Sequence, residues 1–203
     1  ASYTFNAGTS GGGGAYGSFL IKNISSLGTL RYTVGAAGSA GSGSSAGATS
    51  GAAGGDSIFY YNTSTTMYTA NGGNGGTLVA AQSYEQGSIG ATGGSFVAGT
   101  VPSGVILINS SSGGSGGNCS TYRSIRSTLP DYVHYVFAAP GGASAKYPSG
   151  QPKSDSSQGT AGPKLTGVSA TFKGAGGGGA VQAGNATADG AAGAAGGSGE
   201  III

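Results

Sequence analysis

Gly35–Gly55 reads GAAGSAGSGSSAGATSGAAGG and contains only Gly, Ala, Ser and Thr. Such a tract cannot build an oily core. It is either a flexible Gly/Ser linker or an ordered, extended helix that bonds to its neighbours through the backbone. The second tract of this kind favours order. Gly190, Gly193, Gly196 and Gly199 recur every three residues, with Gly184 in phase and Thr187 interrupting the run. Three residues per turn is the period of the left-handed polyproline-II-type helix, which makes no internal hydrogen bonds. One face is then all glycine, and without a Cβ two such faces approach closely enough to exchange N–H···O=C bonds. Ordering glycine is entropically costly, so these tracts are expected to recover that cost through backbone pairing.

The rest of the composition agrees. Glycine supplies 46 of 203 residues, against roughly 7% in ordinary domains. Charged residues make up 7%, where about 25% is usual. Ile, Leu, Val and Phe together number 32, and the net charge is +2, so the chain is poor in core-formers without being a polyelectrolyte. Six prolines and a broken glycine period exclude collagen. No apolar run is long enough to span a membrane. The eight Lys and Arg are scattered, with Arg123 and Arg126 the closest pair of arginines, so no nucleic-acid partner is expected. A start at Ala1 without Met suggests a processed, exported protein or an excised piece. The single Cys119 precludes an internal disulfide framework.

Between the glycine tracts lie short runs rich in β-branched and aromatic residues, bounded by Gly, Ser and Asn. They predict strands at Ser2–Asn6, Ser18–Ile24, Thr29–Val34, Ser57–Tyr61, Val105–Asn109, Tyr132–Phe137, Gly167–Lys173 and Glu200–Ile203. Leu30, Tyr32 and Val34 alternate with Arg31 and Thr33, which predicts one buried and one wetter face. No window carries an apolar stripe of period 3.6. The expected fold is therefore all-β: short strands with ordered polyglycine/polyproline-II-type segments and no significant helix. One domain spans 1–203. Residues 78–165, which hold all six prolines, read as a loop-rich insertion in its frame, with Lys146–Pro163 as exposed turns.

The order of these phrases resembles the glycine-rich β domain of phage tail-fibre tips and secreted surface proteins. The matching phrases are GGGGAYG at Gly11–Gly17, RYTVGAAG at Arg31–Gly38, GGDSIF at Gly54–Phe59, YTANGGNGG at Tyr68–Gly76, PGGAS at Pro140–Ser144 and GAAGAAGGSGEIII at Gly190–Ile203. The resemblance covers about half the chain, Ser2–Gly76 and Val168–Ile203. It implies a compact β frame with polyglycine-type packing, used in attachment or assembly.

Chemistry-bearing motifs are weak. The G-x-S-x-G matches at Gly8–Gly12 and Gly113–Gly117 lack the strand-to-helix setting of a nucleophile elbow. The G-x-G-x-x-G matches at Gly12–Gly17 and Gly174–Gly179 lack a following helix to receive a pyrophosphate. His134 is the only histidine and sits in YVHYV, where alternation makes it a structural strand residue. The six carboxylates, Asp56, Glu85, Asp131, Asp155, Asp189 and Glu200, form no close pair in sequence. No catalytic residue, cofactor site or metal site is assigned. Five of eight asparagines begin N-x-[ST], namely Asn23, Asn62, Asn109, Asn118 and Asn185, where composition gives about two. They are candidate N-glycosylation sites. Tyr60, Tyr61, Tyr68, Tyr132 and Tyr135 are expected to serve mainly as core, the alternative being a recognition platform.

These readings converge on a non-enzymatic, extracellular structural protein, a self-associating subunit of a filament, fibre or surface appendage. The alternative is the receptor-binding tip of a phage or viral fibre. A third reading, a secreted hydrolase, would need His134 beside a nucleophile. Expected partners are copies of the chain itself, and cell-surface glycans or a receptor. The assembly strands are expected at Ser2, Tyr3, Thr4 and Phe5 and at Ile201, Ile202 and Ile203. Both are short apolar runs that would be an aggregation liability unless paired or buried.

Overall fold

Backbone hydrogen bonds between extended glycine-rich segments organise the middle of the molecule. The computed structural model describes residues 4–41, 49–82, 87–88, 90–125, 132–138, 140–144, 153–158, 164–184, 194–200 and 202. Segment 9–15 is the hub. The N–H groups of Thr9, Gly12 and Ala15 donate to the carbonyls of Thr77, Asn74 and Asn71 at 2.9, 2.9 and 3.0 Å. Those of Gly11 and Gly14 donate to Gly177 and Gly174, and that of Gly13 to Gly114. Every third residue thus addresses the same neighbour, which is the signature of three residues per turn. The carbonyls of Ser10 and Gly13 accept from Ala91 and Gly94, and that of Gly11 from Gly142. Segments 71–77, 90–95, 112–118, 140–144 and 174–179 therefore surround the hub.

Three more segments extend the array on one side. Gly51 and Gly54 donate to Gly76 and Gly73, Ala52 and Gly55 to Ser39 and Ala36, and Gly196 and Gly199 to Gly38 and Gly35. Ala194 and Gly197 close the contact back to Gly178 and Ala175. Most adjacent segments run in opposite directions, as the falling partner numbers show, whereas 9–15 and 90–95 run parallel, with Ala91 and Gly94 donating to Ser10 and Gly13. At most of these contacts the packing leaves no room for a side chain. A Cβ built on Gly73 or Gly113 would fall on the carbonyl oxygen of Gly12 or Gly13.

The strands sit at the ends of these segments. In chain order they are β1 (Thr4–Gly8), β2 (Tyr16–Ile21), β3 (Arg31–Thr33), β4 (Ser57–Tyr61), β5 (Thr65–Ala70), β6 (Leu78–Gln82) and β7 (Gly87–Ser88). There follow β8 (Phe96–Ala98), β9 (Val105–Ser111), β10 (Cys119–Ile125), β11 (Tyr132–Ala138), β12 (Lys153–Gln158), β13 (Lys164–Leu165) and β14 (Ala180–Gly184). They form antiparallel sheets of order β13-β14-β1-β6, β12-β11-β10-β7, β2-β9 and β3-β4-β5-β8. Segment 9–15 leads from β1 to β2, 71–77 from β5 to β6, 90–95 from β7 to β8 and 112–118 from β9 to β10. The β2-β9 and β3-β4-β5-β8 sheets therefore lie at one end of the array and the other two sheets at the opposite end. Among the described residues the one helix is a 3-10 turn, Ile24–Leu27. It is capped by Asn23, whose Oδ1 accepts from the Ser25 N–H at 3.2 Å.

The small apolar core belongs to the first end. Leu27, Met67 and Tyr68 are buried, with Phe19, Ile21, Leu30, Phe59, Tyr61, Phe96 and Val105 packed against them. Phe19 meets Phe59 edge-on at 4.9 Å, and Tyr68 stacks on Phe96 at 5.5 Å. Tyr60 lies outside this cluster, under the Arg31 guanidinium at 5.2 Å.

The all-β expectation with extended glycine segments holds, and five local expectations change. Gly167–Lys173 is not a strand: 166–171 belongs to no strand, the Ala170 N–H donates to the Ala195 carbonyl in the array, and Lys173 stands in a turn closed by Gly174 at φ +69°. Glu200 and Ile202 lie outside any strand. Residues 78–165 are not chiefly loop, since they carry β6 to β13 and array segments 90–95, 112–118 and 140–144. Lys146–Pro163, read as turns, includes β12. In β3 the alternation fails, because Tyr32 and Val34 are 48% and 47% exposed and only Leu30 reaches the core. β3 is the outermost strand of its sheet.

Candidate assembly surface

Among the described residues the β2-β9 ribbon is the one sheet of two strands. Its sequences, YGSFLI and VILINSS, contain no charged residue. Phe19, Ile21 and Val105 turn inward to the core. The opposite face carries Leu20 and Ile106, which are cross-strand partners. They are 50% and 43% exposed. The register shifts between Ser18 and Phe19 because Ser18 pairs with Asn109 and Phe19 with Leu107, which leaves Ile108 as the extra residue of a bulge. Bulges re-aim side chains, and Ile108 is 65% exposed. Both outer edges of the ribbon lack a strand partner among the described residues. Free edges without charges or prolines invite another strand, and two strands alone are only marginally stable.

Of the residues expected to form assembly strands, Thr4, Phe5 and Ile202 are described. Thr4 and Phe5 lie in β1, whose partners are β14 on one side and β6 on the other. β1 thus offers no free edge. Ile202 is exposed rather than covered, at 71%. Ser2, Tyr3, Ile201 and Ile203 lie outside the described residues. So do Gly190 and Gly193, while Gly196 and Gly199 of the same run donate to Gly38 and Gly35.

Four sequon asparagines are described and all are exposed. Asn23 caps the 3-10 turn. Asn62 stands in the β4–β5 turn at φ +47°. Asn109 belongs to the ribbon strand β9. The Asn118 Oδ1 accepts from the Gly90 N–H at 3.1 Å. Asn185 lies outside the described residues. His134 sits in the middle of β11, opposite Arg123 of β10 and Ser157 of β12. Among the described residues no three of His, Cys, Asp and Glu gather as metal ligands would, and no helix is long and apolar enough to cross a membrane. Burial pushes the Tyr68 hydroxyl above the usual tyrosine range.

Sequence reasoning missed the ribbon because its signal is a pairing rather than a motif. The uncharged run VILIN was visible, but only tertiary structure leaves it without a third strand. The polar ladder between 71–77 and 90–95 was also missed: Asn71 Nδ2 donates to Ser95 Oγ at 2.9 Å and Asn74 Nδ2 to Thr92 Oγ1 at 2.6 Å. Its sequence sign was the N-x-x-N spacing, which puts both amides on one face of a three-per-turn helix.

A family model described as a glycine-rich domain matches residues 1–203. A comparison with curated proteins returns no significant match.

Proposed function

We propose, from the premise that the chain belongs to this glycine-rich domain family, that it is a non-enzymatic, extracellular structural protein that associates with copies of itself into a filament, fibre or surface appendage. The observation that carries this reading is the β2-β9 ribbon, an uncharged two-stranded sheet with open edges and exposed Leu20, Ile106 and Ile108. Exposed consecutive apolar residues on a free edge are a liability in a monomer and a joint in an assembly. A strand from a neighbour laid against β9 would satisfy its edge groups and cover those side chains. Asn109 bears on the same surface, so a chain joined there carries no glycan on Asn109, while Asn23, Asn62 and Asn118 remain candidate glycosylation sites.

The test is Ile106→Lys with Ile108→Lys. Both positions are exposed, so circular dichroism and thermal midpoint should stay close to the parent. Polymers visible by negative-stain microscopy should disappear. Polymers of unchanged shape would remove the ribbon as the joint, and a parent chain that stays monomeric at every concentration would overturn self-association.

A receptor-binding fibre tip is the second reading, and one observation favours it. Three loops meet at the ribbon end of the molecule: the Lys22 N–H donates to Gly104 O at 2.8 Å, and the Asn62 and Thr63 N–H groups to Leu27 O and Thr29 O at 3.4 Å. Thr63 holds φ +66°, a strained value for a β-branched residue. Clustered loops on a rigid frame suit recognition. Binding of the isolated chain to intact cells, lost on substitution in 62–64 or 99–104 but not at Ile106, would favour this tip.

A further inference from the structure

Six extended segments close into a ring. Segment 9–15 bonds to 71–77, 71–77 to 49–56, 49–56 to 34–41, 34–41 to 194–200, 194–200 to 174–179, and 174–179 back to 9–15. Residues of all six line a cavity of about 80 Å³. Six rods around one is the coordination of a filled position in a hexagonal array. The hub itself has five such neighbours, and the cavity occupies its sixth side.

The wall of the cavity consists of backbone groups that the ring does not use. With three residues per turn, each segment turns one register of N–H or C=O groups toward each neighbour. In 9–15 the carbonyls of Ser10 and Gly13 go to 90–95 and that of Gly11 to 140–144, so the Gly12 carbonyl faces the cavity. In 71–77 the N–H groups of Asn71 and Asn74 go to 90–95 and that of Gly72 to the Asp56 carboxylate, so the Gly73 N–H faces it. The same phase turns inward the N–H groups of Gly38 and Gly177 and the carbonyls of Ala52 and Gly197. No hydrogen bond among the described residues engages any of these six groups. Donor and acceptor walls alternate around the ring. Gly12, Gly38, Gly73 and Gly177 are buried, and buried backbone groups are nearly always paired.

The glycines of the wall give an independent sign. At most other glycines of the array, Gly12, Gly13, Gly73 and Gly113 among them, a Cβ would land on neighbouring backbone. At Gly11, Gly14 and Gly54 the nearest atoms to a Cβ lie 3.5, 3.4 and 3.7 Å away, which is ordinary contact, and none of the three has a left-handed φ. All three line the cavity. The ring itself would accept alanine at these positions, whereas a further backbone in the cavity would not.

We infer that the cavity is the docking site for a seventh extended glycine-rich segment, contributed by a second copy of this chain. Such a segment presents N–H groups in three directions and C=O groups in three, which matches three acceptor walls and three donor walls. Its side chains must be absent or no larger than those of the tracts already in the array. The chain's own Gly/Ala/Ser tracts have that composition, and this is what assigns the guest to a second copy. The inference rests on different residues from the β2-β9 joint and does not require it.

Amide exchange of the full-length chain, read at individual glycines by NMR in dilute and concentrated samples, tests this. The Gly38, Gly73 and Gly177 amides should be protected in the concentrated sample and lose that protection on dilution. The double variant Gly11→Ala, Gly54→Ala should keep its fold and thermal midpoint and show no protection at either concentration. Protection that is equal at both concentrations, no protection at either in the parent chain, or a double variant that is protected like the parent would each overturn the inference. The dilution series on the parent chain decides even where the double variant loses its fold. Concentration-dependent protection persisting in the Ile106→Lys, Ile108→Lys chain would support this site while the ribbon joint fails.

Discussion

Gly73 and Gly54 stand in neighbouring segments joined by a 3.0 Å hydrogen bond, yet they are glycine for different reasons. A methyl group on Gly73 would strike the Gly12 carbonyl, which is backbone held by its own neighbours. A methyl group on Gly54 would meet nothing closer than 3.7 Å. Gly73→Ala should therefore cost about 1–3 kcal/mol through overpacking. Gly54→Ala, measured in dilute protein, should be neutral or gain about 0.4–1 kcal/mol by restricting the unfolded chain. Urea unfolding of both variants checks the contrast, and equal losses would show that the array does not discriminate between these positions.

At the scale of elements, the sheet end and the glycine array are held together by different forces. The sheet end depends on a few rings around Tyr68, which is only 3% exposed. Burial disfavours its phenolate and raises its pKa above the unfolded value near 10. The folded state then holds this proton more tightly than the unfolded chain. Stability from this group is fully present below about pH 10 and is lost as pH rises through the folded pKa. Tyr68→Phe should flatten that alkaline loss, followed by thermal midpoint against pH. If the parent and variant midpoints fall in parallel, another group is responsible.

For the whole molecule, the balance of buried surface is unusual. The buried apolar residues among those described are Leu27, Met67, Tyr68, Leu165, Ala175 and Ala180, and much of the rest is peptide backbone packed on backbone. Exposure of apolar surface raises the heat capacity of unfolding and exposure of polar surface lowers it. Calorimetry should therefore give a heat-capacity change per residue clearly below the usual ~12–15 cal/mol/K. A value inside that range would mean that a conventional apolar core carries the fold. With only 14 residues of the four charged types in 203, the midpoint should also depend little on salt.

Sequence by itself determined the kind of structure. Four glycines in three-residue phase, Gly190 to Gly199, imply an extended helix with a bare face, and Ser57–Tyr61 was readable as a strand because turn-formers bound an aromatic run. These are local properties, set by period and by the absence of a Cβ. Sequence could not say which segment neighbours which. The hub at 9–15 looks no different from other glycine tracts, and only folding gives it five partners. β-Propensity could not separate Val105–Ser111, whose edge is left open, from Thr4–Gly8, which is enclosed by β14 and β6. Pairing across more than a hundred residues depends on how the other segments stack. For the same reason the ring around the cavity, joining residues as far apart as Gly35 and Gly199, is a property of the tertiary structure alone.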